Sequence, residues 1–413
     1  MIAFSHLGRA LGLGLVLGLS IWAARAGTPE LDTLPGMPPV VDRTNLYSEI
    51  ASGLSPAAAE ALPRVYVPNL RSNDVYVIDP ETLKVVDRFR VGGQPQHIVP
   101  SWDLKTLWVN NNGLRGPQGS LTPIDPKTSK PGQSIAVEDP YNLYFTPDGR
   151  SAIVVAERLE RLDFRDPVEM TLQQSLPTPG CAGVNHADFS IDGKYAIFTC
   201  EFGGGGLIKV DMVERKIVGH LNLKRTDLIT QADLVLPDGQ PLDTAFCGPG
   251  GGGMPQDIRV SPDGKVFFIA DMMADGVYLV DGDEFKQVGY IPTGTGTHGL
   301  YPSRDGTKLY VVNRGSHDVR GKRRGPGSIS VLDFATREIV ANWPIPRGGS
   351  PDMGNVSADG KQLWLSGRYD NVVYVIDTTT GAVATIPVGT EPHGLTVWPQ
   401  PGRYSLGHTG NMR

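Results

Sequence analysis

Four of the eight histidines in this 413-residue chain share a setting that could serve metal or ligand binding. Each lies at the start of an apolar segment, as in "QPQHIV", "VNHADF", "THGLYP" and "PHGLTV". Imidazole is a ligand that copper, zinc and iron accept, and carboxylates can complete such a set. Because these residues are far apart in sequence, only the fold could bring them together. The candidate metal ligands are His97, His186, His298, His393, Asp257 and Asp352.

The elements that would position these residues are repeated modules of short strands. Each module ends a strand in apolar residues followed by an aspartate, as in "VYVID" and "ISVLD". A carboxylate at a strand end can accept hydrogen bonds from backbone N–H groups of the next turn, so we expect these aspartates to build turns. The seven aspartates are Asp79, Asp125, Asp163, Asp211, Asp281, Asp333 and Asp377.

A second marker, the dipeptide Asp-Gly, precedes a new strand in most modules and is a strong hairpin signal. Four strands in each of seven modules predict an all-β chain that forms a seven-bladed β-propeller. The chain opens with a second strand, "RVYVPN", and ends with a lone first strand, "HGLTVW". We therefore expect the C-terminal strand to close the ring by joining the N-terminal blade. A solenoid would instead need capping repeats, which the sequence lacks.

The segments "RVYVPNLRSNDVYVIDPETLKVV", "KLYVVNRGS" and "GTEPHGLTVWP" resemble YVTN-type β-propeller repeats, a family of mostly exported bacterial and archaeal proteins. The resemblance covers residues 64–402 and implies the fold. It leaves function open, because that broad group includes binding proteins, surface-layer proteins and relatives of enzymes. In layout, the histidines are similar to those of exported copper-dependent propellers such as nitrous oxide reductases.

The N-terminus predicts export. Residues 1–26 combine Arg9, an apolar run and the small-residue site Ala24-Arg25-Ala26, as in a cleaved signal peptide. We expect a leader over residues 27–63, the propeller over 64–402 and a tail over 403–413. The mature protein would be periplasmic or secreted, with no transmembrane segment, and we expect it to be a monomer. The net charge of -6 does not favour binding to nucleic acid.

The three cysteines suit an exported chain with one disulfide and one buried thiol. Cys181 precedes the inner strand of one module, and Cys247 precedes that of the next. Since adjacent blades place these loops side by side, the predicted disulfide joins Cys181 to Cys247. Cys200 ends the apolar segment "YAIFTC" and is expected to be buried.

The four histidines have two interpretations, and their positions along the strands bear on the choice between them. Relative to the Asp-Gly marker, His298 and His393 lie one residue earlier than His97 and His186. Neighbouring residues of a strand point to opposite faces, so the four imidazoles need not share one direction. The set is then either a metal site, with copper or another divalent metal, or a polar ring that is structural or binds a ligand.

One loop is strongly basic, with Arg314, Arg320 and the run Lys322, Arg323, Arg324. An anionic partner could bind there, but no aromatic residues alternate with the bases, as single-strand binding would require. The simpler interpretation is a solvated basic loop. The role of the segment Arg314–Arg324 therefore stays open at this stage.

Three functions remain. The favoured one is an exported binding module whose channel mouth, lined by the four histidines, takes a small-molecule ligand or a periplasmic protein. The second is a copper-dependent periplasmic oxidoreductase that uses the same histidines. The third is a cation-dependent, lactonase-like hydrolase built on Asp257, Asp352 and Asn142. Whether the protein is an enzyme is left undecided by the sequence.

Overall fold

The computed structural model describes Met1 and residues 31–51, 53–224, 253–317 and 326–402. The predicted signal peptide, the tail over 403–413, Cys247 and the bases Arg320, Lys322, Arg323 and Arg324 lie outside these ranges. The described chain is nearly all strand, with one 3₁₀ turn at Ser48–Ala51. None of its helical segments has the length and apolarity that crossing a bilayer requires.

Seven antiparallel sheets form the blades, and their strands follow the chain in order. Blade one takes β1 (Arg64–Asn69), β2 (Asp74–Asp79) and β3 (Lys84–Arg90). Blade two has β4 (Pro95–Pro100), β5 (Leu107–Asn111), β6 (Gln118–Asp125), β7 (Lys130–Pro131) and β8 (Ile135–Glu138). Blade three has β9 (Pro140–Phe145), β10 (Ala152–Ala156), β11 (Arg161–Arg165) and β12 (Leu172–Pro177). Blade four has β13 (Val184–Phe189), β14 (Tyr195–Cys200), β15 (Leu207–Asp211) and β16 (Lys216–Leu221).

The remaining blades repeat the same plan of four strands. Blade five has β17 (Pro255–Val260), β18 (Val266–Asp271), β19 (Gly276–Asp281) and β20 (Lys286–Pro292). Blade six has β21 (Thr297–Pro302), β22 (Lys308–Asn313), β23 (Ser328–Asp333) and β24 (Ile339–Pro344). Blade seven has β25 (Pro351–Val356), β26 (Gln362–Gly367), β27 (Val372–Asp377) and β28 (Val383–Pro387). The last strand is β29 (Thr396–Trp398).

The ring is closed by its two ends, as predicted. Strand β29 pairs antiparallel with β1, so that Val397 lies opposite Val65. The last strand is therefore the innermost strand of blade one. The prediction of an all-β, seven-bladed propeller closed by a C-terminal strand is confirmed.

The repeated aspartates form the expected turns, with one exception. Asp79 Oδ1 accepts hydrogen bonds from the backbone N–H of Glu81 and Thr82, both at 3.0 Å. In blade three, Asp163 lies inside β11 and pairs with Arg161, and the turn is built by Asp166. The prediction for Asp163 was wrong because "RLDFRD" holds two aspartates, and only the second, Asp166, follows the end of the strand.

The Asp-Gly hairpins lie on one face of the ring, here called the hairpin face. A hydroxyl two residues before the aspartate donates to its carboxylate, as Ser261 does to Asp263 at 2.5 Å. The glycine that follows has a left-handed φ, +74° at Gly264, which other residues rarely adopt. The innermost strands are buried, the outermost strands are partly exposed, and aromatic and aliphatic side chains fill the space between blades.

The segment before β1 runs across the hairpin face. The N–H of Leu34 donates to Asp192 O and the N–H of Leu46 donates to Pro262 O, both at 2.8 Å. The hydroxyl of Tyr47 donates to Val260 O at 2.6 Å, at the end of an innermost strand. These contacts cover turns of blades four and five, so this face is occupied by the protein's own chain.

The disulfide differs from the prediction. Cys181 is bonded to Cys200, with the two Cα atoms 4.9 Å apart, so the predicted partner Cys247 is wrong. The reason is the pairing of β13 with β14, which sets Val184 opposite Cys200. Cys181, three residues earlier, is thereby brought within the usual range for a bridge. Cys200 is buried, as expected, but as half of a disulfide within one blade.

Candidate functional site

The face opposite the hairpins carries two rings of residues, each with one member per blade. The first, the entry ring, is the second residue of each innermost strand, or its equivalent ahead of β29. The second, the exit ring, directly follows the second strand of each blade. The two rings adjoin because these strands are antiparallel neighbours. The entry ring is His393, Gln96, Tyr141, Asn185, Gln256, His298 and Asp352, and the exit ring is Leu70, Asn112, Glu157, Glu201, Met272, Arg314 and Arg368.

A pocket of about 310 Å³ opens at this mouth of the channel. Six of the seven exit-ring residues line it, together with four entry-ring residues. The volume lies at the lower end of the range for small-molecule sites, roughly 300–1,000 Å³. Around the rim, Arg71, Gln94, Arg158, Phe202 and Glu391 complete the wall.

The four predicted histidines do converge, despite their two registers. The His97 ring lies 4.8 Å from that of His393 and 5.4 Å from that of His186, measured between centroids. The rings of His298 and His393 are 6.3 Å apart. All four side chains are buried, and of the four only His298 lines the pocket. The imidazoles therefore form a buried chain of ring contacts beneath the mouth.

Asp352 is the charged centre of this chain of rings. Its Oδ2 lies 2.8 Å from His393 Nδ1, and its Oδ1 lies 3.0 Å from His298 Nδ1. Arg314 Nη2 donates to Asp352 Oδ1 at 2.8 Å, and Arg368 Nη1 lies 3.5 Å from Oδ2. One carboxylate thus faces two imidazoles and two guanidinium groups in a buried setting.

The histidines of this cluster are held neutral. Burial, and then Arg314, lower the pKa of His298 well below its ordinary value. Arg314 Nη2 also donates to His298 Nε2 at 2.7 Å, so the imidazole proton must be on Nδ1, facing Asp352. Burial lowers the pKa of His393 to about 4. Burial alone would raise the pKa of Asp352, but Arg314 and the two imidazoles hold it well below its usual range.

Two carboxyl groups lie on the other side of the mouth. Glu157 and Glu201 line the pocket and are hydrogen-bonded to each other. Asn185 Nδ2 donates to Glu201 Oε2 at 2.9 Å. Burial, and then the charge of Glu201, raise the pKa of Glu157 well above its ordinary value, and burial raises that of Glu201 as well. Glu157 therefore carries the proton of the shared hydrogen bond.

Several polar atoms of the mouth have no hydrogen-bond partner within the described ranges. Asn112 is 1% exposed, and both its Oδ1 and its Nδ2 lack one. The same holds for Gln96 Oε1, Asn185 Oδ1 and Arg368 Nε. Buried polar groups in proteins are nearly always paired, so such a group of orphaned atoms indicates a place for a ligand or water.

The other predicted ligands are engaged elsewhere. Asp257 does not line the pocket; its carboxylate accepts the N–H of Leu300 at 2.9 Å and forms an ion pair with Arg259, also at 2.9 Å. Asn142 Nδ2 lies 3.1 Å from His186 Nδ1. Across the described ranges, no group of three or more His, Cys, Asp or Glu residues is arranged to hold a metal ion. The metal site stays a prediction, and the guanidinium on His298 Nε2 would repel a cation there.

The sequence analysis missed the residues that give the mouth its charge. Arg314 was interpreted as part of a solvated loop, but it is 1% exposed and bound to Asp352. Glu157, Glu201 and Arg368 were not singled out. A signal was present: each is the residue that follows the second strand of its module. Aligning the seven modules at that position would have exposed an unusually polar set.

Solved structures share the fold at low identity. A putative 6-phosphogluconolactonase from Bacteroides uniformis is 17% identical, with 81% of this chain and 98% of that chain covered and a TM-score of 0.58. Hydrazine synthase of Kuenenia stuttgartiensis is also 17% identical, with 74% and 91% covered and a TM-score of 0.54. At this identity the likeness shows the propeller fold alone. A search of curated proteins finds no match.

A family model sharpens this result. The model of the YNCE-like β-propeller matches residues 33–169 and 247–401, which is well over half of the chain. The unmatched interval holds blade four, with the disulfide, His186 and Glu201. The chain belongs to the YNCE-like β-propeller family.

Proposed function

We propose that this protein is an exported binding module that takes a small anionic molecule in the mouth pocket. The observation that carries the proposal is a charge imbalance. Arg314 and Arg368 both line the pocket, and within the described ranges one carboxylate, that of Asp352, contacts both. Because the neighbouring imidazoles are neutral, the single charge of Asp352 faces two guanidinium groups, and the contact with Arg368 is the longer one at 3.5 Å.

An uncompensated buried charge is costly, and an anionic ligand would offset that cost. Arginine suits this role, because its planar guanidinium can donate two parallel hydrogen bonds to a carboxylate or phosphate. Arg368 Nε has no hydrogen-bond partner among the described residues, so it can donate a hydrogen bond to an anionic ligand. Asn112 Nδ2, which also lacks a partner among the described residues, supplies a further donor for an anion.

Export rests on the signal-like residues 1–26, and a periplasmic or secreted protein of this kind would meet small solutes. His97, His186 and His393 then support the site from below, and His298 lines the pocket itself. Their chain of ring contacts and the Asp352 hydrogen bonds fix the orientation of both arginines.

The two enzyme hypotheses receive less support. A copper oxidoreductase needs free imidazole nitrogens, but Arg314 occupies His298 Nε2. A cation-dependent hydrolase needs Asp257 and Asp352 around one ion, but each is committed to arginine. Elemental analysis separates these cases: stoichiometric copper that disappears in His186→Ala and His298→Ala would favour the oxidoreductase.

Calorimetric titration tests the binding proposal. Linear carboxylates from acetate to hexanoate, and inorganic phosphate, are titrated into the purified protein. At least one should bind saturably at one site, and Arg368→Gln should weaken it tenfold to a hundredfold, since a hydrogen bond to a charged group contributes about 1.5–3 kcal/mol. Asp352 keeps Arg314 in this variant, so the fold should survive.

Arg337→Gln is the matched control, because Arg337 is exposed in the turn between β23 and β24. It should bind like the unaltered protein. The proposal fails if no anion binds, or if Arg368→Gln binds as tightly as Arg337→Gln.

A further inference from the structure

The exit ring separates its charges by blade. Its two acids follow the second strands of blades three and four, and its two bases follow those of blades six and seven. In a closed ring of seven blades, the midpoint between blades three and four lies half a turn from blade seven. The acids Glu157 and Glu201 therefore face the bases Arg314 and Arg368 across the mouth.

The space between the two walls is a single pocket, since all four side chains line it. Its volume of about 310 Å³ is roughly twice that of a cavity that accommodates benzene. A ligand of about a dozen non-hydrogen atoms could reach both walls at once.

The acidic side chains, like the basic ones, are held in place by hydrogen bonds. Asn185 fixes Glu201 by a 2.9 Å hydrogen bond, and Gln256 also bonds to it. No lysine or arginine side chain lies within ion-pairing distance of Glu157 or Glu201 in the described ranges. This contrasts with the rim acid Glu391, which pairs with Arg71 at 3.3 Å.

An independent observation points to a ligand between the walls. Asn112 belongs to the exit ring, lies on blade two between the arginine and glutamate sides, and is almost completely buried. Its amide oxygen and nitrogen both lack partners among the described residues, although the pocket contains both kinds of charged group. A buried amide that offers both a donor and an acceptor suits a ligand with groups of both kinds.

We propose that the ligand is a small zwitterion of the amino-acid class, which places its carboxylate against Arg368 and Arg314 and its ammonium group against Glu201 and Glu157. This inference rests on the proposed binding of an anion, and it adds a positively charged group to that ligand. A simple anion would satisfy the basic wall but would leave the buried charge of Glu201, which shares a proton with Glu157, facing its negative charge. A zwitterion offsets both walls, and burying each charge against its opposite is far cheaper than burying it alone.

The experiment compares ligands that differ in one charged group. Linear ω-amino acids from glycine to 6-aminohexanoate are titrated calorimetrically beside the carboxylates and the primary amines of equal chain length. At one length, the amino acid should bind at least tenfold more tightly than either the carboxylate or the amine. Glu201→Gln should remove most of that advantage and leave the affinity for the carboxylate unchanged or stronger.

Glu169→Gln serves as the control, because Glu169 is exposed and does not line the pocket. It should retain the preference for the amino acid. Retained carboxylate binding by Glu201→Gln shows that the variant is folded.

The outcomes distinguish the two proposals. If carboxylates bind through Arg368 but the amino group does not raise the affinity at any chain length, the zwitterion proposal is wrong and the proposed anion site stands. If Glu201→Gln keeps the full preference, the acidic wall is not its origin and the inference is overturned. If no compound of any class binds, both proposals fail.

Discussion

The hairpin face and the mouth are made by the same strands, yet they are built in opposite ways. On the hairpin face, six blades repeat one contact, a serine or threonine hydroxyl that donates to the turn aspartate at 2.5–2.6 Å. At the mouth, the seven exit-ring positions hold five different residue types. Repetition therefore builds the ring, and departures from repetition build the site.

The difference has a physical reason. A hairpin turn is satisfied by hydrogen bonds within a few residues of itself, so every blade can use the same solution. The mouth is where side chains from all blades approach one another. Seven identical charged residues there would repel, so the groups must complement each other across the ring, as Asp352 of blade seven complements Arg314 of blade six.

The largest effect should follow from removing the charge at the centre of the mouth. Asp352→Asn removes the carboxylate that two buried guanidinium groups share and should lower the free energy of unfolding by about 3–5 kcal/mol. Urea denaturation measures this loss. Asp359→Asn makes the same change in a hairpin, where the side chain is 58% exposed, and should cost far less. Equal losses would show that the two faces do not differ in this way.

A smaller effect concerns pH. Folded His393 stays neutral down to about pH 4, whereas an unfolded histidine gains its proton near pH 6.5. Between these values the unfolded state binds more protons, so this residue lowers stability as pH falls, by about 2 kcal/mol at pH 5. His393→Gln should lose that part of the pH dependence in melting curves. Asp257, with its pKa raised to about 6 by burial, acts in the opposite direction but equally in both proteins.

His220→Gln is the control for that measurement, since His220 is exposed on β16. A His393→Gln variant whose stability falls with pH as steeply as that of the His220→Gln variant would contradict the interpretation.

The smallest effect is expected on the hairpin face. Ser261→Ala removes the hydroxyl that donates to Asp263 and should cost about 1 kcal/mol, the typical net value of one hydrogen bond. Ligand affinity should be unchanged, because this hairpin is at the other end of β17 from the pocket. A change in affinity would show that the two faces are coupled.

The sequence predicted the ring because the ring depends on local patterns. Alternating apolar residues, turn aspartates and Asp-Gly pairs are each visible within one module. It also predicted that distant histidines would meet, since innermost strands share one channel. It failed at Asp163, where two aspartates lie three residues apart, and at Cys181, whose partner depends on the pairing of β13 with β14.

The charges of the mouth could not be predicted in the same way. Whether Arg314 is a solvated base or a buried counter-ion depends on Asp352, which is 38 residues further along the chain. Likewise, the shared proton of Glu157 and Glu201 depends on burial and proximity between two blades. Such properties belong to contacts between modules, and no single module contains them.

Blade one contains both ends of the described propeller, because β29 pairs with β1. His393, which contacts Asp352, lies three residues before the start of that final strand. A ribosome must therefore complete the propeller through β29 before the mouth exists, and a product truncated ahead of residue 393 could not assemble it. Any solute that recognises this mouth would stabilise finished molecules selectively and leave shortened ones to proteolysis.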